Sequence, residues 1–518
     1  MNIDIKNTLI KTTASNYLLL IIKIFASLLL VRIIFLGINN EEYGFWALLW
    51  SIFGYSILLD FGFGTAVQKA TSETLENKDW GTYNKLISTI FFSYVVLALA
   101  IFLVTLFVAF NLENIFSFSS ATSIKYYQII FIIFGVGTTL IFPLGFFREI
   151  LRGLQEIPLR NNIDLFFLII NFIVIAVSVS LFSSLLLMAI GAILVQFFTN
   201  VMMAYYVYKK IPTLKISLSL FCKDKVKEVM GFSLFAYIVM FSNLIIFKTD
   251  QIIISMFSSM ALVGFYQIIS RVSELFRQFS TQIHDVIGPL SATFFASSND
   301  NKLSLILLQS NQVVAFIATM LFVPSYLFIE ELLDLWLNIT NIQVILTAKI
   351  LLISMYVLVV LRSSSVQVLL MCNKHKQLTI VAIIEAAMNL LLSIYLIQYY
   401  SIIGVAIGTL IPNVLLAFIY NIPVACKFSK LSVFLYFKNV ICKNICIGIC
   451  VYTLVFYLSE NSEEISFFLL LLYGFISIVL YCLLYFFIWL DKKQREKIQF
   501  LIKKYILNKK KLLNIINV

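Results

Sequence analysis

Long apolar stretches follow one another along almost the whole chain, separated by short polar loops. A helix that crosses a bilayer needs about 20 mostly apolar residues, because each residue adds about 1.5 Å. The pattern predicts an all-α polytopic membrane protein with about fourteen transmembrane helices. Two pairs of helices are joined by very short turns, near Ser183 and Tyr400. The approximate helix cores are 13–36, 43–66, 86–110, 125–147, 163–183, 186–208, 230–257, 263–296, 304–328, 342–371, 378–398, 402–425, 440–458 and 466–490.

The composition excludes several classes of protein. Of the 518 residues, 61% are hydrophobic and 12% are charged, which rules out a soluble enzyme and a nucleic-acid-binding protein. The seven cysteines form no Cys-x-x-Cys pair and the two histidines, His284 and His375, lie far apart, so no metal or other cofactor is expected. The sequence has no G-x-x-x-x-G-K-[ST] motif, so ATP hydrolysis is not its energy source. The net charge of +12 predicts attraction to anionic membrane lipids.

The charges in the loops predict the orientation. If the N-terminus is cytoplasmic, the inner loops hold nearly all of the loop lysines and arginines, whereas the outer loops hold essentially only Lys125. The outer loops carry acids instead: Glu41, Glu42, Glu113, Glu330, Glu331, Asp334, Glu460, Glu463 and Glu464. This asymmetry predicts cytoplasmic N- and C-termini and an even number of helices.

A weak internal repeat relates the two halves at an offset of about 213–220 residues. The run 43–46 (YGFW) opens the second predicted helix and the run 263–266 (VGFY) opens the eighth, while Asn171 and Asn389 occupy matching helices. The common order of the matches predicts two pseudo-symmetric lobes of six helices each, with a transport site between them. The predicted divisions are an N-lobe at 1–211, a basic cytoplasmic linker at 212–229, a C-lobe at 230–427, two extra helices at 428–490 and a basic amphipathic cytoplasmic tail at 491–518.

Polar side chains form a stripe along the eighth predicted helix. They recur mostly every three or four residues and therefore share one face: Gln267, Arg271, Glu274, Gln278, Thr281, Gln282 and Asp285. Arg277 lies beside the stripe. Charges facing lipid would be unfavourable by about 3 kcal/mol each at the bilayer centre. The stripe therefore either lines a watery cavity or packs the lobes together through a buried Arg271–Glu274 pair and hydrogen-bonded glutamines.

Other predicted helices carry polar residues in apolar surroundings. Asn243 and Asp250 share a face of helix seven, in a cavity or a packing role, whereas Lys248 points elsewhere. Arg362 in helix ten faces away from its polar neighbours and could pair with an acid. Glu385 is one turn from Asn389 in helix eleven, as an ion or proton site or as a packing pair.

These residues make up three candidate sets. The predicted cationic lumen consists of Arg271, Arg277, Lys248, Arg32, Lys23 and Arg362, although Lys23 and Arg32 face opposite sides of helix one. Predicted charge-balancing or ion-coupling residues are Glu274, Asp250, Asp60, Glu385 and Asp285. Further polar residues are Gln267, Gln278, Gln282, Asn243 and Asn389. Excess positive charge favours an anionic cargo such as a diphosphate, which accepts charge-assisted hydrogen bonds from Arg and Lys.

Two longer motifs carry a family resemblance. The run 38–46 (INNEEYGFW) followed by 58–64 (LLDFGFG) resembles the start of bacterial polysaccharide repeat-unit flippases of the O-antigen type. The run 248–251 (KTDQ) followed by 263–266 (VGFY) resembles their second-lobe signature, with Val263 where the first lobe has Tyr43. The resemblance covers about residues 10–430 and places the chain with the multidrug/oligosaccharidyl-lipid/polysaccharide exporter superfamily.

The resemblance implies a function in the bacterial inner membrane. A flippase of this kind moves undecaprenyl-diphosphate-linked oligosaccharides from the inner to the outer leaflet by alternating access, for O-antigen or another surface polysaccharide. Its expected partners are this lipid-linked substrate and the polymerase and chain-length proteins of the same pathway. The alternatives are an ion-coupled multidrug or toxin exporter, a lipid II type flippase, and a membrane polymerase or ligase. The short outer loops argue against the enzyme, since such enzymes usually carry a large external loop.

Overall fold

The computed structural model describes residues 5–54, 56, 63–119, 123–223, 241–242, 244–246, 248–281, 287, 291, 294–295, 300–372, 375–460, 462, 465–489 and 495–496. Nearly all of these residues are helical, and this described part contains no β-strand. Because lipid tails offer the backbone no hydrogen-bond partners, a spanning segment satisfies its own N–H and C=O groups by forming a helix. The predicted all-α fold is confirmed.

The chain forms two compact units. The first comprises Met1–Arg271 and His375–Pro412. Its helices are α1 (Ile5–Gly37), α2 (Asn40–Gly54), α3 (Phe63–Asn77), α4 (Trp80–Phe110), α5 (Leu112–Ile115), α6 (Ile124–Ile141), α7 (Phe147–Gly153), α8 (Ile157–Ser180), α9 (Leu185–Lys210), a helical segment at 248–257, the first part of α10 (Met260–Thr281) and most of α15 (His375–Leu416). In this unit α1 packs against α8, and α9 packs against both α8 and α6.

The second unit comprises Val272–Lys374 and Asn413–Val518. Its α11 packs against α13, α18 and α19. Its helices are the rest of α10, α11 (Asp300–Leu327), α12 (Ile329–Leu337), α13 (Ile342–Val357), α14 (Ser364–Met371), the end of α15 (His375–Leu416), α16 (Ile422–Phe428), α17 (Val433–Tyr436), α18 (Lys443–Glu460) and α19 (Phe467–Leu484). π-helical turns occupy Leu358–Ser363, Ala417–Asn421, Phe437–Cys442 and Tyr485–Trp489.

Ten stretches within the described residues are long and apolar enough to cross a membrane. One of them, Lys376–Phe428, is a pair of helices that meets at Ser401, where φ is 52° and ψ is −137°. The other predicted short turn is also present, since α8 ends at Ser180, Ser183 has φ 43°, and α9 begins at Leu185. The total of fourteen helices and the division into two six-helix lobes stay predictions.

Some predicted boundaries differ from the structure. The predicted second span, 43–66, covers α2 and the start of α3, and α3 continues to Asn77 through a polar sequence. The described part of the linker, 212–223, lies along α4 because side chains of α4 bond to its backbone. Asn84 donates to the Thr213 carbonyl at 3.0 Å, and Thr89 accepts from the Cys222 N–H at 3.0 Å. The tail 491–518 lies outside the described residues, apart from 495–496.

Candidate functional site

Arg271 lies half-buried on α10, at the predicted polar stripe. Its guanidinium donates a hydrogen bond to the Ser27 hydroxyl on α1 at 3.1 Å. Lys23 precedes Ser27 by one helical turn and is exposed. Within the part of the chain that the structure describes, no carboxylate forms an ion pair with Arg271.

Arg277, six residues further along α10, has a different environment. Its Nε and Nη2 donate to the two carboxylate oxygens of Glu274 at 2.8 and 2.6 Å, and Gln278 donates to the same carboxylate at 2.9 Å. Bidentate pairing of this kind is the strong form of a charge-assisted bond. Glu274 thus neutralises Arg277, and the Arg271–Glu274 pair that the sequence offered as one alternative is not the pair that forms.

A buried polar cluster joins the segment 248–257, α10 and α15. The Tyr266 hydroxyl donates to Asp250 Oδ2 at 2.5 Å, and the Thr409 hydroxyl lies 3.3 Å from the same oxygen. Asn389 donates to the Thr409 hydroxyl at 3.0 Å. All four residues are at most 5% exposed. Glu385, one turn before Asn389, is buried as well.

Two acceptor oxygens in this cluster have no donor in the part of the chain that the structure describes. Among the described residues, nothing donates a hydrogen bond to Asp250 Oδ1 or to Asn389 Oδ1. A buried acceptor without a donor carries a desolvation cost of about 1–3 kcal/mol, and a carboxylate carries more. A small cation or a proton satisfies such oxygens. Oxygen donors of carboxylate and carbonyl type suit hard cations.

Arg362 belongs to a separate buried network in the second unit. It lies in the π-helical turn Leu358–Ser363, is 8% exposed and donates to Asn413 Oδ1. Asn413 in turn donates to the Ser354 hydroxyl at 3.0 Å. A described partner of Arg362 is thus an amide, whereas the sequence suggested an acid; the predicted place of Arg362 in a cationic lumen stays a prediction.

The remaining predicted residues are distributed as follows. Lys248 is half-buried and Arg32 is exposed, while Gln267 is half-buried and bonded to Gln251. Four predicted residues lie outside the described part of the chain: Asp60, Asn243, Gln282 and Asp285.

Three residues of the sites were not predicted from sequence: Ser27, Tyr266 and Thr409. A hydroxyl in an apolar helix gives little signal, although Tyr266 belongs to the VGFY run.

The N-terminal ends of α2 and α10 approach each other very closely. A Cβ placed on Gly44 would overlap the carbonyl oxygen of Met260 and lie 2.6 Å from its carbonyl carbon. Next to this contact, the Ser117 N–H donates to the Ser255 carbonyl at 2.8 Å. Two elements that the sequence repeat assigns to different halves are therefore in contact at this end of the helices.

Solved structures share this arrangement of helices. The lipid II flippase MurJ, in an inward closed conformation, matches with a TM-score of 0.70 and 16% identity, over 92% of this chain and 99% of that chain. An inward-facing multidrug resistance MATE family transporter of the MOP superfamily matches with a TM-score of 0.65 and 15% identity, over 78% of this chain and 95% of that chain. At such identities the likeness establishes the fold. The chain is a multi-pass membrane protein with the fold of these transporters.

A match to a protein-family model identifies the family of this membrane protein. Residues 6–295 match the family described as polysaccharide biosynthesis protein. This is more than half of the 518 residues, and the chain belongs to this family. The resemblance seen in the motifs is confirmed at this level. The comparison with curated protein sequences gives no match.

Proposed function

We propose that this protein is a flippase for an undecaprenyl-diphosphate-linked oligosaccharide in bacterial surface polysaccharide biosynthesis, such as that of O-antigen. The observation that carries the proposal is Arg271, a half-buried arginine on α10 with which no described carboxylate forms an ion pair. Membership of the polysaccharide biosynthesis family supports a glycan-linked cargo. The fold shared with flippases and exporters supports transport across a bilayer.

Arg271 would bind the diphosphate. A guanidinium presents donors in a planar fork that matches phosphate oxygens, and its bond to the Ser27 hydroxyl orients it. Lys23, one turn from Ser27, would add a second positive charge. Alternating access would then carry the diphosphate and sugar from the inner to the outer leaflet while the lipid tail stays in the bilayer. No covalent chemistry is required.

The Asp250 cluster would couple transport to a cation gradient. A cation or a proton at Asp250 Oδ1 and Asn389 Oδ1 would satisfy the two acceptors that no described donor reaches. The electrochemical gradient of the cation would supply the driving force, because the carboxylate would bind the cation on one side of the membrane and release it on the other. Glu385 lies one turn away and would contribute to the same site.

The setting of the proposal follows from the loop charges and the pathway. We place the protein in the bacterial inner membrane with both termini cytoplasmic, since the predicted inner loops hold nearly all loop cations. The basic tail would lie on anionic lipids of the inner leaflet. A polymerase and chain-length proteins would receive the translocated units.

The test measures flipping of a purified lipid-linked oligosaccharide in proteoliposomes. Arg271→Gln should reduce the rate at least tenfold, because one charge-assisted contact contributes about 1.5–3 kcal/mol. The matched control is the double variant Glu274→Gln/Arg277→Gln, which removes a neutral pair from the same helix and should keep most of the rate. Equal rates in wild type and Arg271→Gln would refute the cationic site.

A genetic experiment separates the flippase from its alternatives. Deletion of the gene should abolish the surface polymer and make lipid-linked units accumulate on the inner leaflet. Intact glycan together with drug sensitivity would favour an exporter. Transport driven by a sodium gradient or by a proton gradient in proteoliposomes would identify the coupling cation, and transport that needs neither gradient would refute the coupling.

A further inference from the structure

Two adjacent hydrogen bonds tie the Asp250 cluster to α10. Tyr266 on α10 donates to Asp250 Oδ2 at 2.5 Å, and Gln251 donates to Gln267, so consecutive residues of the segment 248–257 bond to consecutive residues of α10. Asp250 and Tyr266 are 5% and 2% exposed. The Asp250 carboxylate therefore bonds through Oδ2 to α10, the helix that carries Arg271. Its other oxygen, Oδ1, has no described donor.

We propose that Tyr266 couples cation binding at Asp250 to anion binding at Arg271. This inference rests on the proposed function and names the residue that links its two sites. Tyr266 and Arg271 are five residues apart on one helix, about 7.5 Å along its axis. A movement of α10 at Tyr266 would therefore also move Arg271, because the hydrogen bonds within the helix keep it rigid.

The geometry of the carboxylate explains the coupling. Its two oxygens belong to one rigid planar group, so turning Oδ1 toward a cation also turns Oδ2. The Tyr266 hydroxyl, which donates to Oδ2, must either move with the carboxylate or lose this hydrogen bond. In either case the position of α10 relative to the segment 248–257 changes with occupancy of the cation site, and Arg271 moves with α10. Thr409 lies 3.3 Å from Oδ2 and Asn389 bonds to Thr409, so α15 takes part in the same rearrangement.

The role differs from that of a binding residue. Tyr266 contacts neither Arg271 nor Ser27 among the hydrogen bonds of this site, and it is a positioning residue for both ligands. Ligand coupling is reciprocal: if sodium raises the affinity for the anion, the anion raises the affinity for sodium by the same factor. Loss of the phenol hydroxyl should abolish this factor while each site still binds its own ligand.

The experiment uses the purified full-length protein in detergent, with farnesyl diphosphate as the anion probe and sodium or choline as the cation. In the wild type, sodium should lower the Kd for farnesyl diphosphate about fivefold or more, within the usual range of ligand coupling. In Tyr266→Phe the ratio of the Kd in choline to the Kd in sodium should fall to about one, while sodium still raises the melting temperature. Tyr356→Phe is the control, because it also removes a hydrogen-bonded phenol hydroxyl, on a half-buried tyrosine bonded to Thr319 at 2.8 Å, and should keep the wild-type ratio.

Each other outcome overturns the proposal. A wild-type ratio in Tyr266→Phe would show that the hydrogen bond is only structural. Loss of the sodium-dependent melting shift in Tyr266→Phe would make Tyr266 part of the cation site itself and not a coupling residue. A ratio of one in the wild type, both for sodium against choline and for acidic against alkaline buffer, would reject this inference, whereas the flipping rate of Arg271→Gln decides the anion site independently.

Discussion

Replacing Gly44 with alanine should weaken the contact between α2 and α10. The added Cβ would overlap the Met260 carbonyl oxygen and lie 3.3 Å from the Gly264 nitrogen, and both neighbours are backbone atoms that cannot turn aside. Overpacking of this kind costs about 1–3 kcal/mol. Since about 1.4 kcal/mol corresponds to a factor of ten, the population with this contact should fall about 5- to 150-fold relative to the open state.

Labelling of a buried cysteine measures that population. Ser255 is fully buried, and its carbonyl accepts from the Ser117 N–H next to the α2–α10 contact. In a background without the seven natural cysteines, Ser255→Cys should react with a bulky maleimide only when the contact opens. Purified protein in detergent removes any dependence on membrane orientation.

The control variant lies on the same helix. Gly54→Ala adds the same methyl group to α2 where no atom of the described residues outside its own helix backbone lies within 4 Å, so it should label at the wild-type rate. Gly44→Ala should label several-fold faster than Gly54→Ala. Equal labelling rates in the two variants, with both proteins folded, would show that the close approach does not control opening.

Three further changes test other parts of the structure. Asp250→Asn keeps the shape of the side chain but removes its charge. Cation-dependent transport should therefore be lost, while the melting temperature stays near that of the wild type. An unchanged response of transport to the cation would refute the cation site. Tyr481→Phe leaves the buried oxygen of Asn444 without the hydroxyl that donates to it at 2.6 Å, and unfolding should become easier by about 1–3 kcal/mol, measured as a lower melting temperature. Gly404→Ala would place a Cβ 2.5 Å from the carbonyl carbon of Leu396 in the hairpin of α15, so the yield of folded protein should fall. A yield equal to that of the wild type would contradict this packing.

Apolar periodicity predicts the helices well because the bilayer imposes both length and composition. Each short turn at Ser183 and Ser401 follows from an apolar stretch too long for one crossing. Asp250 and Asn389 also stand out in the sequence, since polar groups are costly in apolar helices. Their partners do not, because Thr409 is 159 residues from Asp250 in the chain and only the fold brings them together.

The choice between the two arginines shows where sequence reasoning stops. Glu274 is three residues from Arg271 and three from Arg277, so helical spacing alone allows either pair. Side chains on a helix lean toward its N-terminus, so Arg277 reaches back to Glu274 more easily than Arg271 reaches forward. The observed pair follows this direction. Spacing predicts which residues share a face, and side-chain direction decides which of the two arginines pairs with Glu274.

One stretch of α10 brings the three elements of the proposed transport cycle together. Gly264 lies at the contact with α2, Tyr266 bonds to the Asp250 carboxylate, and Arg271 bonds to Ser27 on α1. The stretch from Gly264 to Arg271 is about 10 Å long. A rigid helix of that length cannot shift at one of these positions and stay still at the others. In the proposed cycle, closure of the helix ends, cation occupancy and anion binding would therefore all depend on one rigid helix, which is what coupling of a gradient to transport requires.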